Sequence, residues 1–314
     1  MIRIAINGFG RIGRGVFKTV EETPELEVVA VNDLADENIL KHLLKYDSLY
    51  GKYNKNITSQ FFAEKEPEKL PWRKLGIDVV LECTGKMRTH DLASGHLRAG
   101  AKRVIISASP KSDDIPVFLL AVNEKDYTGE RIISMGSCTT NCLAPIAKII
   151  DDNFVIEKGF LTTTHSYTND QVLLDNIHQD KRRARSAGSN IIPTTTGATE
   201  TVAKALPRLK GKLNGLALRV PTAVVSIVDF VCLINKPASK EEINKILEEN
   251  TSEILKVEKE PLVSSDYRGS PYSCIIDASL TQSFGNLIKV LAWYDNEYAY
   301  CKRLAEMASY ISKR

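Results

Sequence analysis

The sequence predicts an α/β protein of two domains, and three observations predict it. The chain of 314 residues exceeds the size at which a single hydrophobic core stops growing, roughly 250–300 residues. Short apolar strands alternate with helical segments up to residue 137, a pattern typical of a parallel sheet covered by helices. From residue 158 onward, long segments rich in threonine, valine and isoleucine indicate an α+β domain with a mostly antiparallel sheet.

The composition narrows the possible classes of function. With 43% hydrophobic and 26% charged residues, the chain is neither disordered nor fibrous. A net charge of +3 gives no reason to expect a nucleic acid or a membrane surface as partner. The six cysteines have no spacing typical of a disulfide framework or a zinc site, and we expect no metal. Without an apolar signal region or membrane span, we expect a cytoplasmic protein with reduced thiols.

A glycine-rich turn joins the first predicted strand, Ile2–Asn7, to a helix predicted over Arg14–Glu22. Its sequence, Gly-Phe-Gly-Arg-Ile-Gly, allows a tight bend, close approach of a pyrophosphate and close packing of the helix. The second strand, Leu26–Val31, is followed by Asp33. An acid at this spacing binds the ribose hydroxyls of a dinucleotide and repels a 2′-phosphate. The combination predicts a Rossmann-type, doubly wound dinucleotide-binding domain that takes NAD.

The alternation of helices and strands continues through residue 107. Because the carboxyl ends of parallel strands line the cofactor crevice, Thr84, Gly85 and Ser107 are candidate contacts on the nicotinamide side. We interpret the histidines at positions 42, 90 and 96 as surface residues or as histidines with local partners. The predicted elements are a helix over Glu37–Leu44, a buried strand within Leu75–Gly85, a helix over Thr89–Ala99 and a strand over Lys102–Ser107.

The segment Ser137–Cys142 follows a short apolar strand and a turn at Gly136, and it opens the next predicted helix. Cys138 is thereby placed at a helix N-terminus, where unpaired N–H groups and the helix dipole lower a thiol pKa. A buried structural cysteine is the alternative for this residue taken alone. Cys142 is expected to pack behind it within the helix.

The second half contains strands predicted over Phe160–Thr168, Leu216–Pro221, Val224–Ile234 and Leu287–Tyr294. A capping box beginning at Ser239 predicts a helix that extends to about Leu255. A final amphipathic helix is predicted over Glu297–Lys313, and we expect it to return to the first domain. The basic run at residues 181–185 favours a solvated loop over nucleic-acid binding, because no aromatic residues interleave with it.

Six segments, found in order along essentially the whole chain, resemble the phosphorylating glyceraldehyde-3-phosphate dehydrogenases. They are residues 5–14, 137–142, 164–168, 193–198, 218–222 and 293–297. The resemblance leads us to expect an NAD-binding domain over residues 1–137, with the helix 297–314 returning to it. A catalytic domain is expected over residues 138–296.

The resemblance implies that Cys138 is the nucleophile and His165 its base. The thiolate would form a thiohemiacetal with glyceraldehyde 3-phosphate, and hydride loss to NAD would give a thioester. Inorganic phosphate would then release 1,3-bisphosphoglycerate. By the same resemblance, Thr168 and Arg219 bind the substrate phosphate, whereas Ser137, Thr139, Thr196 and Gly197 bind the attacking phosphate.

The family pattern also implies the cofactor contacts and the assembly. Asn296 would bind the nicotinamide carboxamide, and the loop 168–190 would pack at the centre of a homotetramer. The chain is shorter than most members of the family, and we place the missing residues between Lys52 and Glu66. Asn176-Ile177 stands where NAD-specific members usually carry Leu-Pro, so dual use of NAD and NADP stays open. The implied cofactor-binding residues are Gly8, Gly10, Arg11, Ile12, Gly13, Asp33, Lys65, Ser107 and Asn296.

Two alternatives remain at this stage. The related erythrose-4-phosphate dehydrogenases release an acid by hydrolysis, but they lack the phosphate-site pattern that Thr168 and residues 193–197 carry here. A dinucleotide-binding thiol redox sensor or interaction protein would use Cys138 and leave both phosphate sites without a role.

Overall fold

A parallel sheet of six strands organises the first part of the chain. The computed structural model describes residues 1–314, which form two units, 1–137 with 301–314, and 138–300. The elements before residue 137 are β1 (Ile2–Asn7), α1 (Arg11–Val20), β2 (Leu26–Asn32), α2 (Glu37–Lys45), β3 (Tyr46–Asp47), β4 (Gly51–Lys52), β5 (Gln60–Phe62), α3 (Trp72–Leu75), β6 (Val79–Glu82), α4 (His90–Arg98), β7 (Arg103–Ile106) and β8 (Ile132–Ser134).

The strand order of this sheet is β5-β2-β1-β6-β7-β8, with every neighbouring pair parallel. Strands β1, β2, β6 and β7 are mostly buried and apolar, as expected for strands covered on both faces. The chain moves outward from β1 to β5 and then returns to β6 on the other side of β1. This reversal of strand order is typical of a doubly wound sheet, so the predicted fold is confirmed. Open α/β sheets bind ligands at such a reversal.

Trp72 is completely buried within a hydrophobic cluster of this unit. Its Nε1–H donates to Nδ1 of His96 at 3.0 Å, and Nε2 of His96 lies 3.1 Å from a carboxylate oxygen of Glu82. Because Nδ1 accepts, Nε2 carries the ring proton and donates it to Glu82. Asn7 donates to the same carboxylate oxygen at 2.5 Å. His96 is therefore a buried histidine with local partners.

Trp72→Phe tests this network, because phenylalanine keeps the aromatic packing but leaves Nδ1 of His96 without its donor. We expect the free energy of unfolding to fall by about 1–3 kcal/mol, and by about 3–5 kcal/mol for Trp72→Ala, which also opens a cavity. Urea denaturation followed by circular dichroism measures both. Leu92→Ala, at an exposed position of α4, is the control. An unchanged stability of the Phe variant would contradict the importance of the bond.

The second unit is built on an eight-stranded sheet. The strand order is β10-β11-β9-β12-β16-β14-β13, and β15 pairs with β16. Its elements are α5 (Cys138–Phe154), β9 (Ile156–Ser166), β10 (Ile192–Thr195), α6 (Ala198–Ala205), β11 (Leu213–Val220), β12 (Ser226–Ile234), α7 (Lys240–Glu249), β13 (Leu255–Glu258), β14 (Cys274–Asp277), β15 (Gln282–Phe284) and β16 (Leu287–Tyr294). The last helix, α8 (Tyr298–Ser312), belongs from Cys301 onward to the first unit.

The mostly antiparallel sheet is confirmed, with two parallel exceptions, β9 beside β11 and β13 beside β14. The capping box at Ser239 is present, but the prediction that its helix extends to Leu255 was wrong. The helix ends at Glu249, and Leu255 instead begins β13. Leu255 is buried on this edge strand, where it pairs with Cys274 of β14, so tertiary packing overrides the local helical pattern. None of the helices has both the length and the apolar surface needed to span a bilayer.

Alternate residues of the central strands face opposite sides of the sheet in the second unit. On β12, Ser226, Val228, Phe230, Cys232 and Ile234 are buried, and the residues between them are partly exposed. Helix α5 packs against the buried side, where it contacts β9, β12, β14 and β16. The period of two therefore produces one buried face and one partly exposed face. The buried face carries the N-terminus of α5 and with it Cys138.

Candidate active site

The glycine turn after β1 is held by two close approaches. Gly8 has φ +90°, and a Cβ there would lie 2.7 Å from the backbone nitrogen of Thr84. A Cβ on Gly13 would lie 2.1 Å from the carbonyl oxygen of Gly8. Only glycine fits at both positions. Helix α1 begins at Arg11, three residues before the predicted Arg14, because Gly13 packs inside its first turn rather than preceding it.

Gly10, the middle glycine of the motif, leaves room for a ligand. A Cβ at Gly10 would meet no atom within 4 Å. Gly10 is also the N-cap of α1, which has no side-chain cap and no acidic residue in its first turn. Unpaired N–H groups at such a helix start bind a phosphate group well. The turn therefore fits the pyrophosphate of a dinucleotide.

Asp33 follows β2 and joins this turn. One carboxylate oxygen accepts the N–H of Phe9 at 2.7 Å, and the other accepts the N–H of Ala35 at 3.1 Å. The carboxylate is thereby fixed beside the glycine turn without an ion-pair partner. It keeps lone pairs that can accept ribose hydroxyls and a charge that repels a 2′-phosphate.

Other residues assigned to the cofactor lie in different surroundings. The guanidinium of Arg11 binds Asp47 at 2.9 Å, so this side chain also fixes the start of β3–β4. The carbonyl of Ile12 accepts the thiol of Cys301 at 3.5 Å. Ser107 lies after β7, and its N–H donates to the carbonyl of Glu82 at 3.0 Å. Lys65 is exposed after β5 and makes no contact with the glycine turn or Asp33.

Cys138 and His165 come together within the second unit. Cys138 is the first residue of α5, and His165 lies next to the end of β9. The Sγ atom of Cys138 lies 3.5 Å from Nε2 of His165, a hydrogen-bond distance for sulfur. His165 is buried, whereas Cys138 keeps part of its surface exposed. The pair has the nucleophile-and-base geometry of thiol catalysis.

Arg219 adds a positive charge beside this pair. It faces His165 across the parallel strands β9 and β11, and its Nη1 lies 2.8 Å from Nδ1 of His165. The same Nη1 donates to the carbonyl of Ser166 at 3.1 Å. Its Nε is buried without a partner, and no carboxylate lies within ion-pair distance. A partly buried guanidinium in this state favours an anionic ligand.

In the free protein, the pKa of the Cys138 thiol differs from the lowered value that was expected. Burial raises the pKa of the Cys138 thiol, and the charge of Arg219 opposes that effect. Water at the exposed part of Cys138 also offsets some of the burial. Burial, and then the charge of Arg219, lower the pKa of His165 to about 3. The expectation of a lowered thiol pKa was therefore wrong for the free protein, because desolvation outweighs the helix N-terminus.

Tyr294 connects the two elements that carry Cys138 and His165. Its buried hydroxyl lies 2.8 Å from the hydroxyl of Thr139 on α5 and 2.9 Å from that of Thr163 on β9. Its ring packs edge-on against the ring of His165, with centroids 6.0 Å apart. Tyr294 thus fixes the helix start relative to the strand. The hydroxyl of Thr139, assigned to the attacking phosphate, is buried in this contact.

Asn296 has a fixed orientation. Its amide oxygen accepts the hydroxyls of Ser166 at 2.9 Å and of Ser226 at 3.1 Å. Because hydroxyls donate only to the oxygen, these two bonds leave the NH₂ group as the end available to a ligand. The residue is buried, and its two partners lie on β9 and β12, which fix the position of the amide.

The remaining residues assigned to phosphate lie at two turns and one helix start. Thr168 follows β9, and its N–H donates to the side chain of Gln171 at 3.3 Å. Thr196 accepts the N–H of Ala198 at 3.2 Å, and Gly197 is the N-cap of α6. Ser137 immediately precedes Cys138.

The loop with the basic run is folded by internal ion pairs. Arg183 pairs with Asp170 and donates to Thr194 at 2.9 Å, and Arg185 pairs with Asp175 at 2.8 Å. Two of its basic side chains are therefore engaged within the loop. These contacts favour the structural interpretation of the run over nucleic-acid binding.

Comparisons with known proteins identify the family of this chain. Residues 2–90 match the family model described as glyceraldehyde 3-phosphate dehydrogenase, NAD binding domain, and residues 137–296 match its C-terminal domain. The chain is 48% identical to glyceraldehyde-3-phosphate dehydrogenase 1 of Bacillus subtilis, over 100% of this chain and 99% of the relative. The enzyme of Geobacillus stearothermophilus gives the same identity and coverage. The chain belongs to the glyceraldehyde-3-phosphate dehydrogenase family.

This family member is shorter than its relatives. The alignment with the Bacillus subtilis glyceraldehyde-3-phosphate dehydrogenase extends over 332 positions, whereas the chain has 314 residues. The relatives therefore contain residues without a counterpart here. Family membership also confirms the expected NAD-binding and catalytic parts of the fold.

Sequence reasoning missed some of the side chains that support the site in this glyceraldehyde-3-phosphate dehydrogenase. Tyr294 lies within a segment that carried the resemblance, but nothing in the local pattern indicated its bonds to Thr139 and Thr163. Ser226 begins a β-branched strand and gave no signal of its own. Both residues act through contacts more than sixty positions away in the chain.

The raised thiol pKa predicts how alkylation of Cys138 depends on pH. In the absence of cofactor and substrate, inactivation by iodoacetamide should accelerate as the pH rises through the alkaline range, because only the thiolate reacts. Arg219→Ala should move the profile to higher pH, since the charge that favours the thiolate is lost. Arg219→Lys, which keeps a charge, is the matched control. A rate that is already constant from pH 6 upward would contradict the raised pKa.

Proposed function

We propose that this protein catalyses the NAD-dependent, phosphorylating oxidation of D-glyceraldehyde 3-phosphate to 1,3-bisphosphoglycerate. The observation that carries the proposal is the 3.5 Å approach of Cys138 Sγ to His165 Nε2 at the start of α5. The family relationship supports the same reaction. We assign NAD binding to the first unit and the covalent chemistry to the second.

The reaction starts with transfer of the thiol proton from Cys138 to His165 and attack of the sulfur on the aldehyde carbon. The backbone N–H of Cys138, at the helix start, stabilises the oxyanion of the resulting thiohemiacetal. His165 returns the proton to this oxyanion and takes it back from the hydroxyl as hydride leaves the carbon. NAD, when bound, supplies the acceptor for this hydride. The product on Cys138 is a thioester, which retains the free energy of the oxidation.

Inorganic phosphate completes the cycle by attacking the thioester and releasing the thiol of Cys138. We assign the phosphate group of the aldehyde to Arg219 and Thr168. The unpaired guanidinium nitrogen of Arg219 supports this assignment, because a bidentate anion would satisfy it. We assign the attacking phosphate to Ser137, Thr139, Thr196 and Gly197.

On the cofactor side, the open helix start at Gly10 and the fixed carboxylate of Asp33 support binding of the pyrophosphate and the ribose. Asn296, with its NH₂ group available, suits donation to the nicotinamide carboxamide. The other assigned contacts are Gly8, Arg11, Ile12, Gly13, Ser107 and Lys65.

Steady-state formation of NADH tests the proposed reaction. Glyceraldehyde 3-phosphate with NAD should be oxidised rapidly only when inorganic phosphate is present, and erythrose 4-phosphate should be the poorer substrate. Cys138→Ser should lower kcat by about 10³-fold or more while the protein still binds NAD. Cys142→Ser, a buried helix residue outside the site, is the control. Rapid turnover without phosphate would exclude the phosphorylating mechanism.

Replacement of Asp33 tests the preference between NAD and NADP. Asp33→Asn keeps an acceptor for the N–H of Phe9 but removes the charge that repels a 2′-phosphate. We expect kcat/KM with NADP to rise about tenfold relative to that with NAD. This change corresponds to the removal of about 1.4 kcal/mol of electrostatic repulsion. An unchanged ratio would assign the discrimination elsewhere, for example to Asn176-Ile177.

We infer that the protein forms a homotetramer. We also infer a reducing, cytoplasmic environment, in which the thiol of Cys138 stays reduced. Exposed apolar side chains support assembly through the second unit. Phe160 is 68% exposed and Leu216 42% exposed on neighbouring strands of the sheet. In the loop 168–190, Leu173 and Ile177 are also exposed. Several large apolar side chains exposed on one unit are typical of an interaction surface.

Light scattering after gel filtration tests the assembly. The wild-type protein should have about four times the mass of one chain. Phe160→Arg should lower the mass, because a charge would be buried without a partner at the interface. Leu92→Arg, at an exposed position of the first unit, is the control and should keep the wild-type mass. A monomeric wild-type protein would contradict the proposal.

A further inference from the structure

Two groups compete for hydrogen bonding with Nδ1 of His165. Nδ1 of its ring lies 2.7 Å from the carbonyl oxygen of Ser166 and 2.8 Å from Nη1 of Arg219. Nη1 also lies 3.1 Å from that carbonyl. A neutral imidazole carries one proton, so Nδ1 either donates to Ser166 or accepts from Arg219. The two arrangements correspond to the two tautomers of the ring.

The choice of tautomer decides whether His165 acts as a base. When Nδ1 accepts from Arg219, Nε2 carries the proton and presents N–H to the sulfur of Cys138. When Nδ1–H donates to Ser166, Nε2 presents a lone pair at 3.5 Å from that sulfur and takes the thiol proton. Only the second tautomer starts the reaction.

The surroundings of Arg219 favour the first tautomer in the free protein. The guanidinium has no carboxylate partner, and its Nε is buried without an acceptor. The lone pair of Nδ1 is therefore one of only two acceptors that it reaches. The pairing of β11 with β9 places Arg219 directly opposite His165, so an anion that binds the guanidinium competes with this bond.

We propose that a phosphodianion bound at Arg219 withdraws the guanidinium from Nδ1 of His165 and so sets the tautomer in which Nε2 is the base. The switch moves one proton from Nε2 to Nδ1 through solvent and changes no bond between heavy atoms. The phosphate group of an aldehyde substrate and a free inorganic dianion share the chemistry that operates it. The identity of the aldehyde rests on the proposed function, whereas the switch requires only the dianion.

The charges around the ring of His165 also favour its action as a base once a dianion is bound. The groups that face His165 are the guanidinium of Arg219, the thiol of Cys138 and the ring of Tyr294. Arg219 supplies the one full charge among them, and its charge lowers the pKa of His165. A dianion that neutralises Arg219 therefore makes the imidazole more basic as well as changing its tautomer.

Nuclear magnetic resonance of protein labelled with ¹⁵N-histidine reads the tautomer directly. Long-range ¹H–¹⁵N correlations distinguish Nδ1–H from Nε2–H, and loss of a signal set in His165→Gln assigns the residue among the five histidines. Without anion we expect Nε2–H at His165. Saturating inorganic phosphite, a dianion without a carbon chain, should convert it to Nδ1–H.

Arg219 variants separate the switch from a general effect of salt. In Arg219→Gln, His165 should be Nδ1–H without any anion and should not respond to phosphite. Arg219→Lys is the variant that keeps the charge. Circular dichroism of both variants shows whether they are folded. An unchanged tautomer in the wild-type protein with phosphite would overturn the proposal, as would Nε2–H in folded Arg219→Gln.

A single-turnover assay separates the two sources of dianion. With NAD bound and glyceraldehyde, which has no phosphate, the burst of NADH should accelerate at least tenfold when phosphite is added. Glyceraldehyde 3-phosphate should need no phosphite. Folded Arg219→Gln should show no phosphite response, and a response there would overturn the proposal. Failure to oxidise glyceraldehyde 3-phosphate would refute the proposed function, but the tautomer measurement would still decide the switch.

Discussion

The site depends above all on the position of His165 within the eight-stranded sheet. β9 is paired on both sides, with β11 at His165 itself and with β12 up to the preceding Thr164, so a shift of the His165 backbone would disturb both ladders. The hydroxyl of Tyr294 then joins this strand to the start of α5 through Thr163 and Thr139. The distance between thiol and imidazole is thus set by rigid elements rather than by loops, which suits a nucleophile and base that must stay aligned.

Burial of this pair has an electrostatic consequence. Desolvation favours the neutral thiol and the neutral imidazole, so the free protein holds its nucleophile in a weakly reactive form. Arg219 acts in opposite senses on the two partners, because its charge favours the thiolate of Cys138 and disfavours the imidazolium of His165. In the proposed switch, a dianion bound at Arg219 changes that balance by neutralising the guanidinium, so that one side chain couples binding to activation of the base.

The first unit follows a different physical constraint, the close approach of backbone to backbone. Gly8 and Gly13 permit contacts that no side chain would allow, and Gly10 leaves the helix start open. The Asp33 carboxylate holds the turn by accepting the N–H of Phe9. Behind it, the buried Asn7–Glu82–His96–Trp72 network satisfies polar groups at the ends of β1 and β6. A buried network of this kind stabilises only when every member is paired.

Much of this organisation follows from local sequence patterns. The glycine turn with Asp33 indicated the doubly wound sheet, the strands Ile2–Asn7 and Leu287–Tyr294 were predicted at their observed bounds, and Ser239 marked a true helix start. These features depend on steric limits and periodicities within a few residues of each other. Family resemblance then assigned roles to Cys138, His165 and Arg219, which remain proposals until they are measured.

Only the tertiary structure decided the features that depend on distant contacts. The helix after Ser239 stops early because Leu255 is buried in a strand, and the parallel pairing of β9 with β11 is not visible in either strand alone. Tyr294 and Ser226 gained their roles from partners far away in the chain. The thiol pKa changed direction because a helix start favours the thiolate locally, whereas its desolvation depends on everything packed around it. Sequence thus determined which groups the site contains, and packing determined their charges and hydrogen bonds.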